Sequence, residues 1–147
     1  MRGLGLRTVP GWGAAVSGVL GRGVMVESSK QVKPWREAVK WSAAAALVNV
    51  PRPALAGAVE LRITFYFPRP KGHTRKQRAC PGVSVKPDLD KLLRSTFDAL
   101  KEIGLYEDDA RVVSVMVEKL YLDTHATRGP GARILYRAWS PNTPKLV

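Results

Sequence analysis

The spacing of apolar residues in KPDLDKLLRSTFDALKEIG, residues 86–104, is the feature that most constrains the fold. Apolar side chains recur every three or four residues, as expected for a helix with one buried stripe: Leu89, Leu92, Leu93, Phe97, Leu100 and Ile103. Asp88 stands where an N-cap residue belongs, and Gly104 gives a C-terminal stop. The spacing therefore predicts a helix over residues 88–103 that covers an apolar surface.

Strand patterns lie on both sides of this helix. Residues 58–67, AVELRITFYF, alternate apolar and polar side chains, which predicts a strand with one buried face. Residues 111–122, RVVSVMVEKLYL, predict a second strand. Because apolar residues fall on both of its faces, we expect this strand to lie centrally in a sheet. Residues 133–139 predict a last strand, and residues 24–27 a short one.

A second helix is predicted over the alanine-rich residues 35–48, where Pro34 suits a helix start. These elements predict an α/β (α+β) fold, a two-layer domain with a mixed sheet of about four strands covered by two main helices. The domain would occupy residues 24–140. Residues 1–23 form either an arm or a strand, and residues 141–147 a flexible tail.

The charge balance indicates the class of partner. Twenty-four Lys and Arg against twelve Asp and Glu give a formal net charge of +12, which favours binding to a polyanion, most simply nucleic acid. The single cysteine, Cys80, excludes an internal disulfide and a multi-cysteine zinc site. No apolar run reaches the ~20 residues of a membrane span. We therefore expect a cytoplasmic protein that uses neither zinc nor a membrane.

Residues 68–87 form a long basic loop between the first long strand and the helix. Its cations are Arg69, Lys71, Arg75, Lys76, Arg78 and Lys86. A solvated surface loop and a loop that contacts phosphates both fit this composition. Its place directly before an acidic pair favours phosphate contact.

Acids concentrate at two points of this basic chain. Asp88 and Asp90 begin the helix, and Asp108 and Asp109 precede the next strand. Capping explains Asp88 but does not require Asp90. If the returning strand passes beneath the helix, the acids meet, and clustered carboxylates favour a cation between them. Such ligands suit Mg²⁺ or Mn²⁺, which can promote phosphodiester hydrolysis, although D-x-D and D-D are common in caps and turns.

The run KPDLDKLLRSTFDALKEIGLYEDDARVV, residues 86–113, resembles the RusA-type Holliday junction resolvases, small endonucleases of bacteria and their prophages. The hallmark of that family is D-x-D-N-L-x-K, then D-A-L along the helix and D-D entering a strand. This chain has DLDKLLR, DAL and DDARVV with the same intervening spacing. The resemblance implies a homodimeric, Mg²⁺-dependent nuclease of recombination and repair that nicks two strands symmetrically across a four-way DNA junction.

The family's metal-binding carboxylates fall on Asp88, Asp90 and Asp109. Asp108 would shape the turn beside them. Asp98 of DAL would have a structural part, pairing with Arg94 or Lys101 on its own helix.

Two positions depart from the family pattern. Arg94 stands where the family carries an essential lysine, and Lys91 where it carries asparagine. Arginine can hold a phosphate or stabilise developing negative charge, but its high pKa makes it a poor proton donor. If the family lysine acts electrostatically, Arg94 can replace it; if that lysine transfers a proton, activity would drop, and Lys91 is the alternative donor.

DNA phosphates would contact the basic loop and the helix start through Arg69, Lys71, Arg75, Lys76, Arg78, Lys86, Lys91 and Arg94. Two other functions remain open. One is a non-catalytic basic DNA- or RNA-binding module on the same fold, and the other is a ribosome-associated basic protein. His73 and His125 fit surface histidines better than zinc ligands.

Overall fold

The structure is a computed structural model that describes residues 16–19, 32–47, 51–122 and 131–142. A short 3-10 turn (Asp109–Arg111) precedes the third strand. In chain order, the strands and helices are β1 (Val16–Val19), α1 (Val32–Ala46), β2 (Val59–Phe67), α2 (Arg75–Arg78), α3 (Leu89–Glu102), β3 (Val112–Tyr121) and β4 (Gly131–Ala138).

These strands form one mixed sheet in the order β1-β4-β2-β3. β2 runs parallel to β3 and antiparallel to β4, and β1 pairs antiparallel with β4. The predicted mixed α/β class is confirmed. The strand predicted at residues 24–27 and most of the predicted tail lie outside the described residues.

The core lies between the two long helices and one face of the sheet. β2 alternates strictly, with every odd position from Val59 to Phe67 buried, which confirms the predicted one-sided strand. The helices contribute Val39, Ala43, Leu92, Ala99 and Leu100 to the same core, and Leu47 and Ile103, each directly after a helix, join them. Two ion pairs join α1 to α3 at the rim, Arg36 with Asp98 and Lys40 with Glu102.

The prediction that β3 lies centrally is wrong. Among the described strands β3 pairs only with β2, and apart from a bridge between Leu120 and Gly82 its other side is unpaired in the described residues, so it is an edge strand. Val113, Val115 and Met116 are 54%, 38% and 40% exposed. A strand with apolar residues on both faces is buried on both faces only if other segments of the same chain pack against each face. Here the described residues leave part of β3 uncovered.

The connections fix the direction of α3 across the sheet. Ala54 and Leu55, just before β2, donate backbone hydrogen bonds to Gly104 and Leu105, just after α3. The end of α3 therefore lies beside the start of β2, and its start lies toward the other end of the sheet. Within the described residues, no helix combines the length and the apolar character that crossing a membrane requires.

The predicted stop of α3 at Gly104 is confirmed. Its φ of +80° lies in the left-handed region, which glycine adopts without the steric cost of a Cβ. A Cβ there would also approach Arg52 Cδ to 2.9 Å.

Candidate metal and nucleic-acid site

Asp88 and Asp90 place two carboxylates at the start of α3. Asp88 holds the N-cap position, but its side chain makes no cap hydrogen bond, so the predicted capping role of this carboxylate is wrong. Its ion-pair partner is Lys91, whose Nζ lies 3.9 Å from Asp88 Oδ2. Asp90, in the first turn, is exposed and has no partner among the described residues. Both carboxylates are thus accessible to a cation.

Lys119 holds the backbone that leads into this acidic pair. Its Nζ donates hydrogen bonds of 2.8 Å to the carbonyl oxygens of Val85 and Pro87. The side chain reaches from β3 to the loop immediately before Asp88. Lys119 was not among the residues predicted from the sequence; the signal was a cation on the strand face that it shares with Val113, Val115 and Val117.

Asp109 lies far from the acidic pair within one chain. It precedes the first residue of β3, whereas Lys119, near the strand's other end, contacts the residues before Asp88. Lys119 lies seven residue steps along the strand from Val112, which at about 3.3 Å per residue is roughly 20 Å. The expectation that Asp109 meets Asp88 and Asp90 within the chain is therefore wrong.

The physical reason is the direction of the chain through β2, α3 and β3. A helix that joins two parallel strands must run back along the sheet, so the acids before it and the acids after it fall at opposite ends. Consistently, no group of three or more His, Cys, Asp or Glu among the described residues is placed to hold a metal ion.

Asp109 is nevertheless in an unusual environment. Burial raises the pKa of its carboxyl, and the negative charge of Asp98 raises it further, against a smaller opposite effect of Lys101. Its Oδ1 atom is buried without a hydrogen-bond partner. The neighbouring Asp108 accepts a hydrogen bond from the Ala110 amide at 3.2 Å, so its predicted turn-shaping role is supported.

The other charged residues of α3 have separate roles. Asp98 pairs with Arg36 of α1 at 3.2 Å, so the prediction that it pairs with Arg94 or Lys101 is wrong. Arg94 is exposed, lies one turn after Asp90 and has no ion-pair partner among the described residues. Residues four apart share a helix face, so Arg94 and Asp90 can address the same ligand.

The basic loop contains a short ordered helix. The Thr74 hydroxyl accepts a hydrogen bond from the Gln77 amide, and the Gln77 side chain accepts one from the Thr74 amide. This reciprocal cap holds α2. The loop therefore presents its cations on a defined backbone.

Two of the predicted DNA-binding arginines are used within the loop. The Arg69 guanidinium lies 4.4 Å from the centroid of the Tyr121 ring and donates to the carbonyl oxygens of Gln77 and Cys80. Arg78 donates to the carbonyl oxygens of His73 and Lys71. The other residues predicted to contact DNA are exposed: Lys71, Arg75, Lys76, Lys86, Lys91 and Arg94.

Comparison with known families assigns the chain. The family model of the endodeoxyribonuclease RusA matches residues 17–128, which is more than half of the 147 residues and includes all three acids. A search of curated proteins finds no match. The chain therefore belongs to the RusA endodeoxyribonuclease family, and this membership implies a nuclease that acts on DNA.

Proposed function

We propose that this protein is a Mg²⁺-dependent endonuclease that resolves four-way DNA junctions by paired, symmetric nicks in recombination and repair, acting as a homodimer. Within a matched family, the observation that carries the proposal is the pair of accessible carboxylates, Asp88 and Asp90, at the start of α3. They face solvent on a chain whose net charge is +12. The positive surface would attract a polyanion such as DNA. Its phosphates would be repelled by these two carboxylates unless a cation were bound between them.

The chemistry of the donors fits a hard divalent cation. Carboxylate oxygens are the ligands preferred by Mg²⁺, with Mn²⁺ as an alternative. Bound there, the ion would supply Lewis-acid activation of phosphodiester hydrolysis. Asp88 and Asp90 would hold it, and Arg94, on the same face, would bind the phosphate and stabilise its developing negative charge.

The third family acid requires a second chain in this proposal. Since about 20 Å of strand separates Asp109 from the acidic pair within one chain, only another copy can bring it there without refolding. Two nicks related by a two-fold axis also need two equivalent sites. Each site would then combine Asp88 and Asp90 of one protomer with the Asp109 carboxylate of a second copy.

Cleavage of a synthetic four-way junction tests the activity. Asp90→Asn should abolish Mg²⁺-dependent nicking, with an effect larger than the about 100-fold that removing an outer partner of a metal ligand costs. Junction binding should stay equal or become tighter, because a negative charge near phosphate has been removed. Glu107→Gln, an exposed acid paired with Arg111, is the matched control and should cleave normally.

The same assay distinguishes a nuclease from a non-catalytic binding module. A parent protein that binds the junction but never cleaves it with Mg²⁺ or Mn²⁺ would instead be the non-catalytic binding module, a role favoured by Arg94 in place of lysine. Preference for structured RNA over the junction in competition would favour the ribosome-associated function.

Mixing two inactive variants tests the shared site. Asp90→Asn and Asp109→Asn should each be inactive alone. A mixed dimer has one site with both substitutions and one with neither, so mixing should restore nicking of a single strand. If each site lay within one chain, both sites of the mixed dimer would be defective and no activity would return.

A further inference from the structure

The face of the sheet opposite the long helices carries a shallow polar pocket. The odd-numbered residues of β2 are buried in the core beneath α1 and α3, so its even-numbered residues lie on the other face. The pocket on that face has a volume of about 250 Å³, and its lining includes Arg62, Thr64, Glu118 and Arg133. The candidate metal site uses none of these residues.

The strand register brings two arginines together in this pocket. On β4, Arg133 lies opposite Thr64 of β2, and Leu135 lies opposite Arg62. Arg62 and Arg133 are therefore diagonal neighbours, whose backbones are about 7 to 8 Å apart and whose long side chains can meet. Because two like charges at this distance repel each other, an anion held between them is stabilised by both.

No acid of the described residues neutralises these two arginines. Arg137, on the same face of β4, is paired with Glu60 at 2.6 Å. Arg62 and Arg133 have no ion-pair partner among the described residues. The structure thus commits one arginine of this face to the fold and leaves two available to a ligand.

Glu118 limits where an anion can bind in the pocket. It lies opposite Thr64 on β3, whereas Arg133 lies opposite Thr64 on β4. Two strand spacings, about 10 Å, therefore separate the backbones of Glu118 and Arg133. Glu118 is exposed and repels an anion on its own side. An anion is favoured over β2 and β4, between the arginines.

The pocket lies at the end of the sheet that also carries the acidic pair. Leu120, which lines the pocket, directly follows Lys119, whose side chain holds the backbone before Asp88. Adjacent strand residues point to opposite faces of a sheet, so the pocket and the acids lie on opposite faces. A phosphate in the pocket therefore belongs to a different part of a bound nucleic acid from the phosphate at the acids.

We propose that this pocket is a second phosphate-binding site, at which Arg62 and Arg133 hold backbone phosphates of the junction DNA away from the cleavage point. Guanidinium groups bind phosphate oxygens through paired, charge-assisted hydrogen bonds. The occupant is a polymer and not a free nucleotide, because the pocket is shallow and smaller than the ~300 Å³ at which small-molecule sites begin. That the polymer is junction DNA rests on the proposed function.

The salt dependence of binding to a synthetic four-way junction, measured without divalent metal, tests the site. The Arg62→Gln, Arg133→Gln double variant should reduce the magnitude of the slope of log K against log salt by about two, since each cation on a phosphate contributes about one unit. The Arg62→Lys, Arg133→Lys double variant is the matched control. It loses the same guanidinium groups but keeps both charges, so its slope should equal that of the parent.

A junction with single methylphosphonate linkages, each of which removes one phosphate charge, locates the contact. Linkages that bind in the pocket should weaken binding of the parent but not of the glutamine double variant. The same linkages should still weaken binding of a Lys71→Gln, Lys76→Gln double variant, because the basic loop lies outside the pocket.

Four results would overturn the inference. They are a glutamine double variant with the slope of the parent, an equal loss of slope in the lysine double variant, the same pattern of sensitive linkages in parent and glutamine variant, and release of the junction by inorganic phosphate at constant ionic strength from the parent alone. The last result would assign the pocket to a free phosphate. Because no cleavage is measured, a protein that gives the expected slopes but never nicks the junction would reject the proposed function alone.

Discussion

Arg94 stands where the family pattern has an essential lysine. Because guanidinium keeps its proton, we expect it to act by charge. Arg94→Ala should then reduce cleavage about 100-fold or more, which is the usual effect of removing a preorganised donor. Arg94→Lys should stay within a few-fold of the parent at neutral pH. Single-turnover junction cleavage would measure both.

The pH profile of the Arg94→Lys variant decides the role further. If Arg94→Lys raised the rate many-fold and added a new ionisation to the profile, proton transfer would be the lysine's family role and the electrostatic interpretation would fail.

The environment of Asp109 predicts that its charged carboxyl destabilises the fold. Burial raises the pKa of this carboxyl, so the folded chain binds the proton more tightly than the unfolded chain. Stability therefore falls as the pH rises from the unfolded value through the folded one. We expect metal-free Asp109→Asn to have a larger free energy of unfolding than the parent near pH 7. This difference should shrink as the pH falls toward 3.8, the ordinary pKa of an aspartate carboxyl.

Urea unfolding with a chelator would measure this difference. Asp108→Asn is the matched control, since asparagine can keep the cap to Ala110, and it should shift the midpoint less. Equal stabilisation by both substitutions would show that general acid repulsion, and not the burial of Asp109, is responsible.

At the scale of elements, Lys119 joins the edge strand to the start of α3. Lys119→Met keeps most of the aliphatic length but removes both hydrogen bonds to Val85 and Pro87. We expect cleavage to fall about 10-fold to 100-fold, as when an outer partner that orients a metal ligand is removed, with the main effect on the Mg²⁺ concentration needed.

The activity of Lys119→Met should be partly recovered at high Mg²⁺, whereas that of Asp90→Asn should not. Lys40→Met, which removes the ion pair with Glu102 between α1 and α3, serves as the control. An unchanged Mg²⁺ requirement in Lys119→Met would mean that the strand does not position the acids.

The local pattern of the sequence was sufficient to predict the helices and strands. It was not sufficient to predict which elements and side chains lie beside each other. The stripe of α3, the alternation of β2 and the stop at Gly104 depend on interactions within a few residues and were predicted correctly. The edge position of β3 and the partner of Asp98 depend on residues distant in sequence. Composition alone cannot tell a valine that its own chain buries from one that stays exposed.

Only the part of the candidate site that lies within one short segment could be predicted from the sequence. Asp88 and Asp90 are two residues apart at the start of one helix, so one short segment and its resemblance to a family motif singled them out. The position of Asp109 follows from the direction of the chain through β2, α3 and β3, which requires the parallel pairing of β2 with β3. That pairing has no signature in any short segment.

At the scale of the whole molecule, the net charge of +12 has to be separated from specific binding to phosphates. Lys71 and Lys76 are exposed on the basic loop, whereas Lys40 and Arg111 are paired with acids elsewhere. Replacing either pair with glutamine lowers the net charge equally. Only a cation that displaces a counterion from a phosphate changes the slope of log K against log salt, by about one unit for each such cation.

We therefore expect the Lys71→Gln, Lys76→Gln double variant to reduce the magnitude of the salt slope of junction binding by about two, and the Lys40→Gln, Arg111→Gln double variant to leave it nearly unchanged. Titration of a labelled four-way junction at several salt concentrations would measure both. Equal slopes in the two doubles would show that the loop attracts DNA only through overall charge. A reduced slope in the first alone would identify the loop as the surface that binds the junction backbone.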